Sequence, residues 1–145
     1  MARTGYGRFL VALRPDDTEE KEEESKRDLE LIGVVSMQLN RHAAVPGPLV
    51  PDVGFNILPA YHGKGYATEA ATHLMQYFRE TRGVTAFAGI TDEGNEEAKR
   101  LLARLGFRDW GVRSVKGVIN EGRESRLSVW TTGVEDEGEL EGLRL

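Results

Sequence analysis

The six residues His62-Gly63-Lys64-Gly65-Tyr66-Ala67 are the part of the sequence best suited to holding an anion. Glycines let the backbone turn tightly and bring successive N–H groups to face one point, with no Cβ to obstruct a phosphate. From Tyr66 onward apolar residues recur at helical spacing. A helix therefore starts on the glycine turn and aims the positive end of its dipole at the same point. Lys64 adds a point charge. Two other phosphate loops do not fit: there is no Gly-Lys-Ser/Thr, and Gly63-Lys64-Gly65 lacks the third small residue at the dinucleotide spacing. The residues alone leave open a plain glycine turn that only joins a strand to a helix.

Other reactive groups are few. The chain has no cysteine, which excludes disulfides, thiolate metal sites and cysteine nucleophiles. His42, His62 and His73 have no metal-ligand spacing, and no metal site is expected. His73 falls on the polar side of a helix and reads as surface. Tyr61 and Tyr66 read equally as polar handles beside the glycine turn or as packing aromatics.

The elements that would position the turn are legible as periodicities. Arg8–Leu13 and Leu31–Leu39 are apolar runs that read as strands, able to pair antiparallel. Residues 43–51 contain three prolines and read as loop. Asp52–Ile57 alternates, with Val53, Phe55 and Ile57 on one face, and is a third strand. The helix of Tyr66–Arg82 buries Ala70, Ala71, Leu74, Met75 and Phe78, and Gly83 is placed to stop it. Val84–Ile90 is a short strand expected to be buried on both faces. Asn95 is a good N-cap, with Glu96 and Glu97 in the first turn of a second helix that ends at Gly106. Strands near Phe107–Arg113 and Leu127–Thr132 follow, joined by a polar segment, 114–126. The order predicts one α/β (α+β) domain over 1–134, a mixed sheet with helices packed against it.

Charge is unevenly spread. Residues 16–30 hold nine acids and three bases, and residues 135–145 hold five acids and one base. The first stretch reads as a mobile, solvated acidic loop and the second as a frayed acidic tail. The remainder carries ten acids against fifteen bases, a balance that suits an anionic ligand. It lacks the clustered basic stripe of a nucleic-acid binder, and no apolar run is long enough to span a membrane, so neither partner is expected. No signal peptide is legible at the start, and a cytoplasmic location is the expectation.

The segment from His62 to Ala67, continuing Thr68-Glu69-Ala70, resembles the acetyl-CoA signature Arg/Gln-x-x-Gly-x-Gly/Ala of the GNAT (general N-acetyltransferase) superfamily. Asp52-Val53-Gly54-Phe55-Asn56-Ile57 resembles the central strand of that family. Asn95 with Leu101-Leu102-Ala103-Arg104-Leu105-Gly106-Phe107 resembles its second hallmark helix. The similarity runs from Leu31 to about Trp130 and is greatest to the ribosomal-protein-alanine N-acetyltransferase branch.

The resemblance implies a mostly antiparallel sheet with a central splayed parallel pair of strands, and acetyl-CoA as cosubstrate in the cleft between them. Asn56, Ile57 and Leu58 would meet the pantetheine arm. His62, Gly63, Lys64, Gly65, Tyr66 and Ala67 would hold the pyrophosphate, and Asn95 the far side. Transfer to a primary amine, of a protein N-terminus or a small molecule, would be direct, with a backbone N–H of the central strand on the oxyanion.

Three departures from the family pattern stand out. His62 takes the Arg/Gln position. Leu102 takes the place of the tyrosine that many members use as general acid. Asp52 is the candidate general base, in the place of a strand-opening glutamate, although a solvated strand-end aspartate is the alternative. In addition, only seven residues precede Arg8, where the family has a strand and two helices, so the chain reads as N-terminally shortened. A second copy is one expected way to complete the missing wall, and a non-catalytic CoA-binding or interaction module is the alternative function.

Overall fold

The computed structural model describes residues 5–14, 29–42, 44–119 and 123–145. Of the acidic stretch 16–30, only Leu29 and Glu30 fall within them, and the expectation of a mobile loop there lies outside the described residues. Glu30 accepts a hydrogen bond from the Leu13 N–H at 3.0 Å.

Six strands, β1 (Gly7–Ala12), β2 (Leu31–Gln38), β3 (Asp52–Ile57), β4 (Phe87–Thr91), β5 (Arg108–Val115) and β6 (Ser125–Thr132), form one sheet in the order β1-β2-β3-β4-β6-β5. Every neighbouring pair is antiparallel except β3 and β4, so the sheet is mixed, as the element order predicted, and mostly antiparallel, as the resemblance implied. Among the described residues the α-helices are α1 (Tyr66–Arg82), α2 (Glu96–Arg104) and α3 (Glu137–Gly142).

The alternation of side chains along each strand sorts the core onto two faces. Val35 and Met37 of β2 pair in register with Phe55 and Val53 of β3. On that face Val35, Met37 and Val53 pack with Ala71, Leu74, Met75 and Phe78 of α1, and with Leu102 of α2. Tyr6 stacks on Phe78 with ring centroids 5.1 Å apart. Ala88, one residue after Phe87, turns to the opposite face and joins Val115, Leu127, Val129, Leu140 and Leu145 in a second cluster.

Boundaries differ from the sequence reading at several points. Strand β4 begins at Phe87 instead of Val84. The reason lies in the helix stop: Gly83 caps α1 in the left-handed region at φ 65°, and the Val84 N–H is committed to the Phe78 carbonyl at 3.3 Å. Strand β5 runs on to Val115 and β6 starts at Ser125, so the polar segment 114–126 is partly strand. The acidic C-terminal residues do not fray. Asp136 caps α3 by accepting from the Glu139 N–H at 2.8 Å, while Leu140 and Leu145 are buried in the second cluster. Counting acids obscured these leucines, whose burial offsets the cost of ordering the segment.

One close approach sets the distance between α2 and the sheet. A Cβ built on Gly89 of β4 would lie 2.3 Å from Leu102 Cδ2, well inside van der Waals contact. Leu102 is itself only 1% exposed and has little room to yield. Gly89→Ala should therefore destabilise the protein by about 1–3 kcal/mol through overpacking. Urea unfolding of the two proteins measures the difference, and equal midpoints would show that α2 moves away freely.

Candidate functional site

The parallel pair β3–β4 is held at one register position, Asp52 opposite Ala88, where the Ala88 N–H donates to the Pro51 carbonyl at 2.9 Å. Beyond that point the strands diverge. The gap is a cavity of about 540 Å³, walled by Val53–Ile57 of β3, Ile90 and Thr91 of β4, the glycine turn, and the α2 face carrying Ala98, Leu101 and Leu102.

The backbone of β3 presents a defined set of groups to this cleft. The Pro51 carbonyl points to β4, while the Leu58 N–H points the other way and donates to the Ile32 carbonyl at 2.8 Å. Successive residues of a strand alternate in this respect. The N–H and C=O groups of Val53, Phe55 and Ile57 therefore turn to the β4 side, where the bridge at Ala88 takes up the Val53 N–H and those of Phe55 and Ile57 face the gap, and those of Asp52, Gly54 and Asn56 turn to β2. Among the expected pantetheine contacts, Ile57 thus faces the cleft through its main chain. Asn56 lines the cleft without presenting its backbone to it. Leu58 is not among the lining residues, and its N–H is already bonded.

At the outer end, a short 3-10 turn (Pro59–Tyr61) leads into the glycine segment. Gly63 and Gly65 both lie in the left-handed region, at φ 73° and 80°. Gly65 is the N-cap of α1 and has no side chain to satisfy the first turn. The first helical bond of this turn is Glu69 N–H to the Gly65 carbonyl, which leaves the N–H groups of Tyr66, Ala67 and Thr68 without helical partners. Gly63, Gly65, Tyr66, Ala67 and Thr68 all line the cleft, so these donors and the helix dipole act on its mouth. Lys64 is outside the lining, with its Nζ 5.7 Å from the centre of the Tyr61 ring. The Tyr61 and Tyr66 rings flank the turn, 6.3 Å apart.

His62 spans the mouth. Its Nε2 lies 2.5 Å from the Ile57 carbonyl oxygen and its Nδ1 lies 3.2 Å from Glu97 Oε1 on α2. Asn95 lines the cleft, but its Oδ1 accepts the Ala98 N–H at 3.1 Å as the cap of α2, leaving only its amide nitrogen for a ligand. Sequence reading missed the roles of Glu97, Thr91 and Arg104, all in the cleft wall. Helical spacing from Glu97 to Leu101 and Arg104 places these three on one face, which was the available signal.

Asp52, the candidate base, does not line the cleft. It is neither solvated nor at the open end: it is 5% exposed, beside the point where β3 and β4 meet, and is ion-paired with Arg41. Burial pushes its carboxyl above the ordinary value of 3.8, outweighing the attraction of the Arg41 guanidinium and the hydrogen bonds it accepts. Among the described residues no group of three or more histidines and acids is gathered for a metal ion, and no helix is long and apolar enough to cross a membrane.

The raised carboxyl has a consequence for stability. Folding favours its protonated form, so its stabilising contribution is complete below about pH 3.8 and is lost as pH rises through the folded value. The unfolding free energy of the wild type relative to Asp52→Asn should fall as pH climbs through this range. Denaturant titrations at stepped pH read this difference, and a difference that rises with pH would mean that pairing with Arg41 dominates.

The chain was compared with known proteins. A family model described as the acetyltransferase (GNAT) domain matches residues 1–108. The uncharacterized N-acetyltransferase YoaA of Bacillus subtilis (strain 168) is 28% identical over 83 residues, 57% of this chain and 45% of that protein. The chain therefore spans about half the length of this curated relative. An acetyltransferase from Agrobacterium tumefaciens str. C58 superposes with a TM-score of 0.63 at 17% identity, over 90% of this chain and 63% of that one. The ribosomal-protein-S5-alanine acetyltransferase of Vibrio fischeri gives 0.56 at 21%, over 74% and 56%. These superpositions concern the fold.

Proposed function

The chain belongs to the GNAT acetyltransferase family, and from that premise we propose that its cleft binds acetyl-CoA and directs the acetyl group to a primary amine. The observation that carries this reading is the coincidence at one cavity of an uncapped helix N-terminus, two glycines in the left-handed region and an open strand edge. Acetyl-CoA supplies an acetyl group already activated as a thioester. The N–H groups of Tyr66, Ala67 and Thr68, with the glycine turn, receive the pyrophosphate. The open edge of β3 offers the Phe55 and Ile57 groups to the pantetheine arm, and its inward Phe55 N–H is a donor available to a developing oxyanion. Asn95 contributes its amide nitrogen from the α2 side. The acceptor amine is a protein N-terminus or a small amine. Its proton falls to Asp52, whose raised carboxyl suits uptake, relayed through water because Asp52 does not line the cleft.

A second reading, a CoA-binding module without turnover, has its own support. The ionisable groups that line the cleft, Tyr61, His62, Tyr66, Glu97 and Arg104, include no carboxylate on β3 or β4. Leu102, 1% exposed, stands where the family resemblance would put a phenol to protonate the leaving thiolate.

Calorimetry with acetyl-CoA, followed by thiol release in the presence of an amine and peptide panel, separates the two readings. Binding with release supports the transferase, and binding without release from any acceptor supports the module. Gly65→Val should weaken acetyl-CoA binding at least tenfold in either case, because a β-branched side chain disfavours φ 80° and so misdirects the donors of the turn. Unchanged affinity in a variant with native circular dichroism would remove the phosphate-site assignment.

A further inference from the structure

We infer that His62 and Glu97 form a charge-dependent clasp across the mouth of the cleft, closed by the imidazolium form of His62, which makes cofactor binding pH-dependent. The inference rests on the acetyl-CoA reading above and adds to it a positioning role for two side chains. It starts from the two contacts of the ring. A carbonyl oxygen can only accept, so Nε2 at 2.5 Å from the Ile57 oxygen must carry a hydrogen. A carboxylate also only accepts, so Nδ1 at 3.2 Å from Glu97 Oε1 is matched only when it carries one too. The neutral ring has a single N–H and leaves a lone pair against one of the two acceptors. The imidazolium serves both.

The two partners belong to opposite walls. Ile57 ends β3, the wall that presents main-chain groups, and Glu97 stands in the first turn of α2, the other wall. His62 begins the turn that leads to Gly63 and Gly65. Closing the clasp therefore fixes the start of the anion-binding turn relative to both walls, and places a positive charge beside the N–H donors. The remaining charged groups near the ring are accounted for. On α2 Arg104 lines the same cleft, and Glu96 is paired with Lys99 at 3.2 Å. In the turn Lys64 lies near the Tyr61 ring, and Glu69 in the first turn of α1 is exposed. From β3 only the uncharged Ile57 carbonyl reaches the ring.

Protonation of the ring is what closes the clasp, so acetyl-CoA should bind more tightly in acid than in alkali. The pair is partly exposed, with 39% of the His62 and 71% of the Glu97 side chain accessible, so the effect is modest: about threefold in Kd.

The test is calorimetry with acetyl-CoA at pH 5.5 and 8.0 on the whole chain. The 3′-phosphate of the ligand titrates in the same range, so the informative quantity is the difference between wild type and His62→Gln. Wild type should lose about threefold more affinity than His62→Gln between the two pH values. His62→Arg, permanently charged, should bind more tightly than wild type at pH 8.0, where both meet the ligand in the same state. Glu97→Gln should bind more weakly than wild type at pH 5.5. A merely electrostatic nuisance at Glu97 would instead make that variant bind more tightly, and this result, or identical pH profiles for wild type and His62→Gln, overturns the clasp. Absence of binding by wild type at both pH values overturns the acetyl-CoA reading together with it, whereas binding that ignores position 62 overturns the clasp alone.

Discussion

The architecture of the site turns on a single pairing between β3 and β4. Parallel strands gain from continuous, evenly spaced hydrogen bonds, and here that continuity is given up after Asp52 meets Ala88. Because β3 remains fully registered with β2, and β4 with β6, the sheet survives the break. The separation exposes main-chain donors and acceptors that would otherwise be paired, in a place where the helices keep side chains from filling the gap. Gly89 and Leu102 hold α2 close on one side, and the glycine turn holds the start of α1 on the other.

Much of this was legible in the residues. The alternation of Val53, Phe55 and Ile57, the helical stripe ending at Gly83 and the cap at Asn95 each report a local preference that tertiary packing then reinforces. What was not legible depends on contacts distant in sequence. Asp52 looked like an exposed strand opener because nothing in its neighbours reveals that Arg41, eleven residues earlier, folds over it. The C-terminal segment looked frayed because its acids outnumber its leucines, although Leu140 and Leu145 meet a core made by β5 and β6. Backbone direction was also hidden: no composition signal states which alternate groups of β3 face β2, and that parity turns the Leu58 N–H to β2 and the Ile57 main chain to the gap.

Charge in the cleft sits on its exposed lining and the buried part is apolar. His62, Glu97 and Arg104 lie with the tyrosines among the lining groups contributed by the glycine turn and α2, while Leu101, Leu102 and Ala98 make the α2 wall largely apolar. Such a gradient suits a long ligand with an ionic end and a weakly polar arm. Water is stabilised at the first and disfavoured at the second, so the electrostatic interactions of groups that enter the narrow part are strengthened.

The parity of β3 also bears on how the chain tolerates change. Recognition that runs through main-chain N–H and C=O groups is indifferent to most side-chain replacements, since every residue except proline carries the same donor. Positions 55 and 57 can drift among residues that keep the strand, whereas proline at either would delete a donor from the open edge. The cleft is thus insulated from the sequence that builds it. Surfaces elsewhere on the domain are free to diversify without altering what the open strand edge presents.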